Sequence, residues 1–167
     1  YKNDVLDEGD LIRKSFWCAI FSVPVSVSLD FINANNVYDT LRHVNKNYLE
    51  MSDVEIWWTT LWMAPEKLQG LASLTKGAYF ESLVAANTGG QLHEHFNHPG
   101  TDIVIDGEEM QIKATDSIDY INSVDDDILV IATSEVAAET GSIDGGYTNE
   151  ELTDQVGLAL GGTVVDI

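Results

Sequence analysis

Asp102, Gln111 and Lys113 stand close together in the chain, and Glu81 precedes them. Carboxylates hold a hard divalent cation through oxygen, and such a cation polarises a phosphate and lowers the pKa of a bound water. An ammonium beside it orients that water or stabilises the charge that develops in the transition state. These residue types therefore have the parts for metal-dependent hydrolysis of a phosphodiester, on one condition: their side chains must converge.

The elements around them predict that convergence. Leu74–Asn87 reads as a helix with Tyr79, Phe80, Leu83 and Val84 apolar, closed by Gly89-Gly90. Gln91–Phe96 alternates and reads as a strand, and Asn97-His98-Pro99-Gly100 as a turn. Thr101–Ile105 reads as a second strand, with Ile103 and Ile105 on one face and Asp102 and Val104 on the other. Asp106-Gly107 is a hairpin signal. Glu109–Thr115 follows as a third strand, placing Met110 and Ile112 on one side and Glu109, Gln111 and Lys113 on the other. The tight turn makes these two strands antiparallel neighbours, so Asp102 falls beside Gln111 or Lys113. A short helix or loop over Ser117–Val124 leads to Ile128–Thr133, a continuous apolar run that reads as a strand buried on both faces. The order predicts an α/β fold, a mixed sheet flanked by helices.

Pro99-Gly100-Thr101-Asp102 followed by Gln111-Ile112-Lys113 resembles the signature of the PD-(D/E)XK nuclease superfamily, in the QxK variant found in Mrr-like endonucleases. Glu81, in Gly77-Ala78-Tyr79-Phe80-Glu81, is similar to the glutamate that this family carries on an upstream helix. Two residues separate Pro99 from Asp102, and Gln111 stands where most members have an acid. The resemblance covers roughly residues 76–133. It implies a restriction-endonuclease-like fold and cleavage of nucleic acid, DNA above all, with Mg2+ or Mn2+. It also implies roles: Asp102 as central metal ligand, Glu81, Gln111 and the Ile112 carbonyl completing the metal's surroundings, and Lys113 positioning the attacking water.

Other polar groups compete for attention. His93 and His95 share a strand face, with His98 in the following turn, and form a second candidate metal pair. The alternative is that they are exposed polar positions. Asp125-Asp126-Asp127 lacks the spacing of a calcium loop and reads as a solvated turn. Glu135 and Glu139 read as surface residues just past the buried strand.

Residues 1–70 read as a helical region. Asp10 starts a helix that Pro24 interrupts, Phe31–Leu49 forms a second, and Ser52-Asp53-Val54-Glu55 is a capping box for a third. That third helix carries Trp57, Trp58 and Trp62, which the usual fate of aromatic stripes predicts to be buried against the next unit. Residues 71–140 make the nuclease-like core. Residues 141–167 make a glycine-rich loop and a last helix beginning near Thr148, whose Gly157-x-x-x-Gly161 is a small-residue helix contact. The chain opens on Tyr1 and closes on Ile167, and is expected to be a piece of a longer protein.

The 167 residues, 44% hydrophobic, suffice for a packed domain. One cysteine, Cys18, excludes a disulfide within the chain and fits a cytoplasmic setting. No run reaches the length of a membrane-spanning helix. The charge of −20 opposes the expected activity, because backbone binding relies on Lys and Arg displacing counterions. It favours two alternatives: a partner or missing domain that supplies the basic surface, or an inactive nuclease-fold domain that serves protein interaction.

Overall fold

The computed structural model describes residues 24–93 and 100–161, with side chains from Ala34 onward. The chain separates into two compact units, Tyr1–Asn33 and Ala34–Ile167. The second holds the sheet and its covering helices. Cys18 and the helix expected from Asp10 lie outside the described residues.

Helix α1 spans Pro24–Val44. Pro24 is its first residue, where a missing N–H costs nothing; the helix expected over Phe31–Leu49 corresponds to this one, which ends at Val44. A 3-10 turn at Lys46–Tyr48 leads to α2, Asp53–Leu61. The Ser52–Glu55 capping box is present, with Ser52 N donating to the Glu55 carboxylate at 2.8 Å. Helix α2 buries Ile56 and Thr60, one turn apart. That leaves Trp57, Trp58 and Trp62 on the opposite side, 36%, 57% and 72% exposed. The burial expected of them does not occur: this short helix has a single buried stripe, and the tryptophans are not on it. Trp58 and Trp62 instead meet edge to face, 5.8 Å between ring centres.

Helix α3, Pro65–Thr88, is a single 24-residue element that begins well before the Leu74–Asn87 helix expected from the sequence. The domain boundary expected at 70/71 falls inside it. Gly89 ends it in the left-handed conformation, φ 70°. Tyr79, Phe80 and Val84 are buried and form its contribution to the core.

The sheet has five strands in the order β1 (Gln91–Leu92), β2 (Ile103–Ile105), β3 (Glu108–Lys113), β4 (Leu129–Ala132) and β5 (Ile143–Asp144). The first three form an antiparallel meander; β3–β4 and β4–β5 are parallel. Asp106 and Gly107 both adopt positive φ, 51° and 89°, as a two-residue hairpin loop requires. Helix α4 (Ile118–Asn122) connects β3 to β4, and α5 (Ser134–Thr140) connects β4 to β5. The fold class expected from the sequence is thus observed: an α/β protein with a mixed sheet, flanked by helices, with a helical region at its N-terminal side. The fifth strand was not expected. Its two residues lie inside the segment read as a glycine-rich loop.

Helix α6, Asn149–Ala159, starts with a second capping box, between Thr148 and Glu151. It packs along α3 through Leu152, Val156 and Leu160, and Tyr79 Oη donates to Gln155 Oε1 at 2.7 Å. Gly161 lies so close to the end of α2 that an added Cβ would sit 3.2 Å from Leu61 Cα. Gly161 stands past the end of α6 with φ 92°, so this approach belongs to the turn after the helix and not to a helix face shared with Gly157. No helix among the described residues is long and apolar enough to cross a membrane.

Gly145 is the tightest position around the sheet. A Cβ there would lie 2.4 Å from Phe80 Cζ and 3.1 Å from the Ala132 carbonyl. Overpacking of this kind costs about 1–3 kcal/mol, so Gly145→Ala is expected to lose about that much in urea unfolding. Gly70 lies inside α3, and a Cβ added there would meet no atom within 4 Å. Gly70→Ala is therefore expected to gain about 0.5–1 kcal/mol. Equal midpoints for the two variants would contradict the packing described.

Candidate active site at the open end of the sheet

The start of β2, the end of β3 and the end of β4 lie at one edge of the sheet, because β2 runs against β3 and β4 runs with it. In sheets with parallel strands the carboxyl ends open a crevice where ligands bind. Asp102 and Lys113 stand at this edge.

Strand β2 begins to part from β3 at Asp102. The register pairs Ile103 with Met110, and Asp102 N still donates to the Met110 carbonyl at 2.8 Å. One step further the ladder is replaced by a side chain: Asp102 Oδ2 accepts from Ile112 N at 2.7 Å. The carboxylate thus satisfies an amide that a longer β2 would have paired, and the bond fixes the direction of Asp102. A strand residue sends its N–H and its carbonyl to the same side, so the Ile112 carbonyl is directed toward the same gap. On the other side of Asp102, His93 N donates to its carbonyl at 3.1 Å, which ties the residue after β1 to this turn.

Met110 and Ile112 are buried in the core, and Gln111 and Lys113 are half-buried on the other face, as the alternation predicted. Gln111 Nε2 donates to the Gly100 carbonyl at 2.5 Å. Its Oε1 is buried and has no partner among the described residues. An acceptor in that state normally has a protein or water donor, or a cation.

Glu81 comes from α3, and three influences on its carboxyl place it electrostatically among the others. Burial pushes its pKa up to about 7, the charge of Asp102 adds to the rise, and Lys113 draws it back. The structure thus brings Glu81, Asp102 and Lys113 within electrostatic reach from three separate elements. Among the described residues, no group of three or more His, Cys, Asp or Glu side chains is placed to hold a metal ion. A cation at this edge would depend on two carboxylates supplemented by neutral oxygens. Those present, the orphaned Gln111 Oε1 and the Ile112 carbonyl, are donors of the hard kind that Mg2+ and Mn2+ accept, so the residues fit the group.

His93 approaches Thr101, with Nε2 3.2 Å from Oγ1, and Thr101 in turn donates to Glu109 Oε2 at 2.9 Å. His95 and His98 lie outside the described residues. The run Asp125–Asp127 is exposed, as expected of a solvated turn.

Two features were missed in the sequence. Lys113 Nζ sits over the ring of Tyr120, 5.1 Å from its centre. Glu135, expected on the surface, is half-buried and structural: its Oε1 accepts from Asn149 N, the first amide of α6, at 2.7 Å. Lys76 is buried beside it and donates to Asn149 Oδ1 at 2.8 Å. Burial lowers the pKa of that lysine, against the opposing pull of Asp116 and Glu135. A basic residue among the apolar positions of a helix was the available signal, but its partners lie far along the chain and leave no local trace.

The Glu81 shift has a consequence for stability. The carboxyl has an ordinary pKa of 4.5, kept in the unfolded chain, and a folded value of about 7. Between those values the folded protein holds a proton that the unfolded chain has released. Stability therefore falls as pH rises through this window, by about 2–3 kcal/mol in all. In urea unfolding with a chelator present, Glu81→Gln is expected to remove this slope and to be the more stable protein at pH 8. Parallel pH profiles for the two proteins would show that Glu81 is not buried among these groups.

Comparison with family models, with curated proteins and with solved structures found no match to this chain.

Proposed function

We propose that the chain is a metal-dependent nuclease that hydrolyses phosphodiester bonds, with DNA as substrate, similar to PD-(D/E)XK enzymes of the QxK type. The observation that carries this reading is the electrostatic meeting of Glu81, Asp102 and Lys113 at the edge where β2 and β3 part. The orphaned Gln111 Oε1 beside them supports it.

Asp102, Glu81, Gln111 Oε1 and the Ile112 carbonyl would hold Mg2+ or Mn2+. When bound, the ion would polarise the phosphate and acidify water. Asp102 is held by the Ile112 amide through Oδ2, which leaves Oδ1 to meet the ion. Glu81 has to give up its proton to serve as a ligand, and Lys113 favours that loss. Lys113 contributes a positive charge to a phosphate's non-bridging oxygens and hydrogen bonds that orient the attacking water. Gln111, being neutral, adds an oxygen without adding a charge. A cytoplasmic setting, compatible with the single cysteine, goes with this reading.

The second reading is a catalytically inactive domain of the same fold that serves protein interaction. It is favoured by the net charge of −20, which repels a phosphate backbone unless a partner or another domain supplies basic surface. Incubation with supercoiled, linear and single-stranded DNA in Mg2+ or Mn2+ separates the two. The nuclease reading expects cleavage that falls by about a hundredfold or more in both Asp102→Ala and Lys113→Ala, the scale of loss when a charge-stabilising group is removed from a site. Identical background in all three proteins would support the inactive domain.

A further inference from the structure

Lys113 has an unusual setting for a cation in so acidic a chain. Acidic residues outnumber basic ones 28 to 8. Glu81 lies within its electrostatic reach, yet among the described residues the ion pairs belong to Arg42, which donates to Asp39 and Asp53. The contact that Lys113 does make is with an aromatic face, the ring of Tyr120. An aromatic ring attracts an ammonium through its quadrupole and leaves its charge unneutralised. A carboxylate would hold it more firmly and cancel it.

The ring is fixed by the chain that leaves β3. Thr133 Oγ1 donates to the Thr115 carbonyl at 2.5 Å and pins that exit to the end of β4. Ser117 N donates to Thr115 Oγ1 at 3.0 Å and turns the chain into α4. Ile121 then anchors α4 by packing with Val130, Val136 and Ala137. Tyr120, on the adjacent position, is left half-exposed and lines one groove with Gly100, Gln111, Lys113 and Ser123.

We propose that Tyr120 is a positioning residue for the reaction assigned above: it holds the Lys113 ammonium in the groove and away from Asp102 and Glu81. The inference rests on the nuclease reading for its catalytic consequence but not for the pairing itself. Lysine is a flexible four-carbon stem with a point charge. Without the ring the ammonium is free to turn toward a carboxylate such as Glu81, where it would compete with the divalent cation and lose its contact with the scissile phosphate. The ring is the functional part; the hydroxyl is not.

Two measurements test this together. In NMR spectra the ε-methylene of Lys113, assigned by its disappearance in Lys113→Gln, is expected to be shifted upfield by the ring in the wild type and in Tyr120→Phe, and to return to the ordinary lysine position in Tyr120→Leu. In cleavage assays Tyr120→Leu is expected to lose about fivefold in kcat, the scale of one partly exposed cation–π contact, with KM little changed, and Tyr120→Phe to restore it. An unshifted methylene in the wild type, or a Tyr120→Leu protein with wild-type kcat, would overturn the proposal. A wild type that keeps the shifted methylene and cleaves nothing would uphold the pairing and sink the nuclease reading instead.

Discussion

The bond between the Asp102 carboxylate and the Ile112 amide is the constraint on which the site depends. A sheet that parts two strands leaves an unpaired amide on the longer one, and an unpaired buried amide is expensive. Here the side chain of the residue at the parting point supplies the missing acceptor. The separation of β2 from β3 is thereby stabilised, and the aspartate that stabilises it is held in one orientation. Everything else at this edge is arranged around that fixed carboxylate. Gln111 reaches back to the Gly100 carbonyl, Glu81 descends from α3, and Lys113 stands at the last position of β3. An acid whose position is decided by backbone pairing can keep its geometry while its neighbours gain or lose protons.

The arrangement also shows how a strongly acidic protein can keep a cation available. Arg42 is consumed in tying α1 to the start of α2, and Lys76 is buried in a link between α3 and α6. Lys113 is half-buried, with its ammonium over the Tyr120 ring. The same surplus of acid raises the Glu81 carboxyl, since a buried group already costly to ionise meets a second negative charge. A divalent ion would relieve both conditions at once.

How much of this was legible in the sequence follows from the range of the forces involved. The hairpin at Asp106-Gly107, the alternation through β3 and both capping boxes are local, written in adjacent residues, and all are observed. The grouping of Asp102 with Gln111 and Lys113 follows from that hairpin alone. Glu81 was placed by resemblance alone, since no local pattern in the sequence links a residue of α3 to the hairpin. The tryptophans were misjudged because helical spacing says which residues share a face but not which face meets the core; Ile56 and Thr60 decide that by packing. The β5 strand was hidden because two residues carry no periodicity. The pairings of Tyr120 and Lys76 were hidden for a third reason: each acts on a partner on another element, and the fold, not the local sequence, brings the two together.

The central claim is that Glu81, Asp102 and Gln111 frame one site for a hard cation beside Lys113. Crystals of the chain soaked in Mn2+ and measured at the manganese absorption edge test it most directly. An anomalous peak is expected between the Glu81 and Asp102 carboxylates, within bonding distance, about 2.0–2.6 Å, of oxygens from both. Saturating Mn2+ with that position empty, or with the ion bound to one carboxylate while the other points elsewhere, would contradict it.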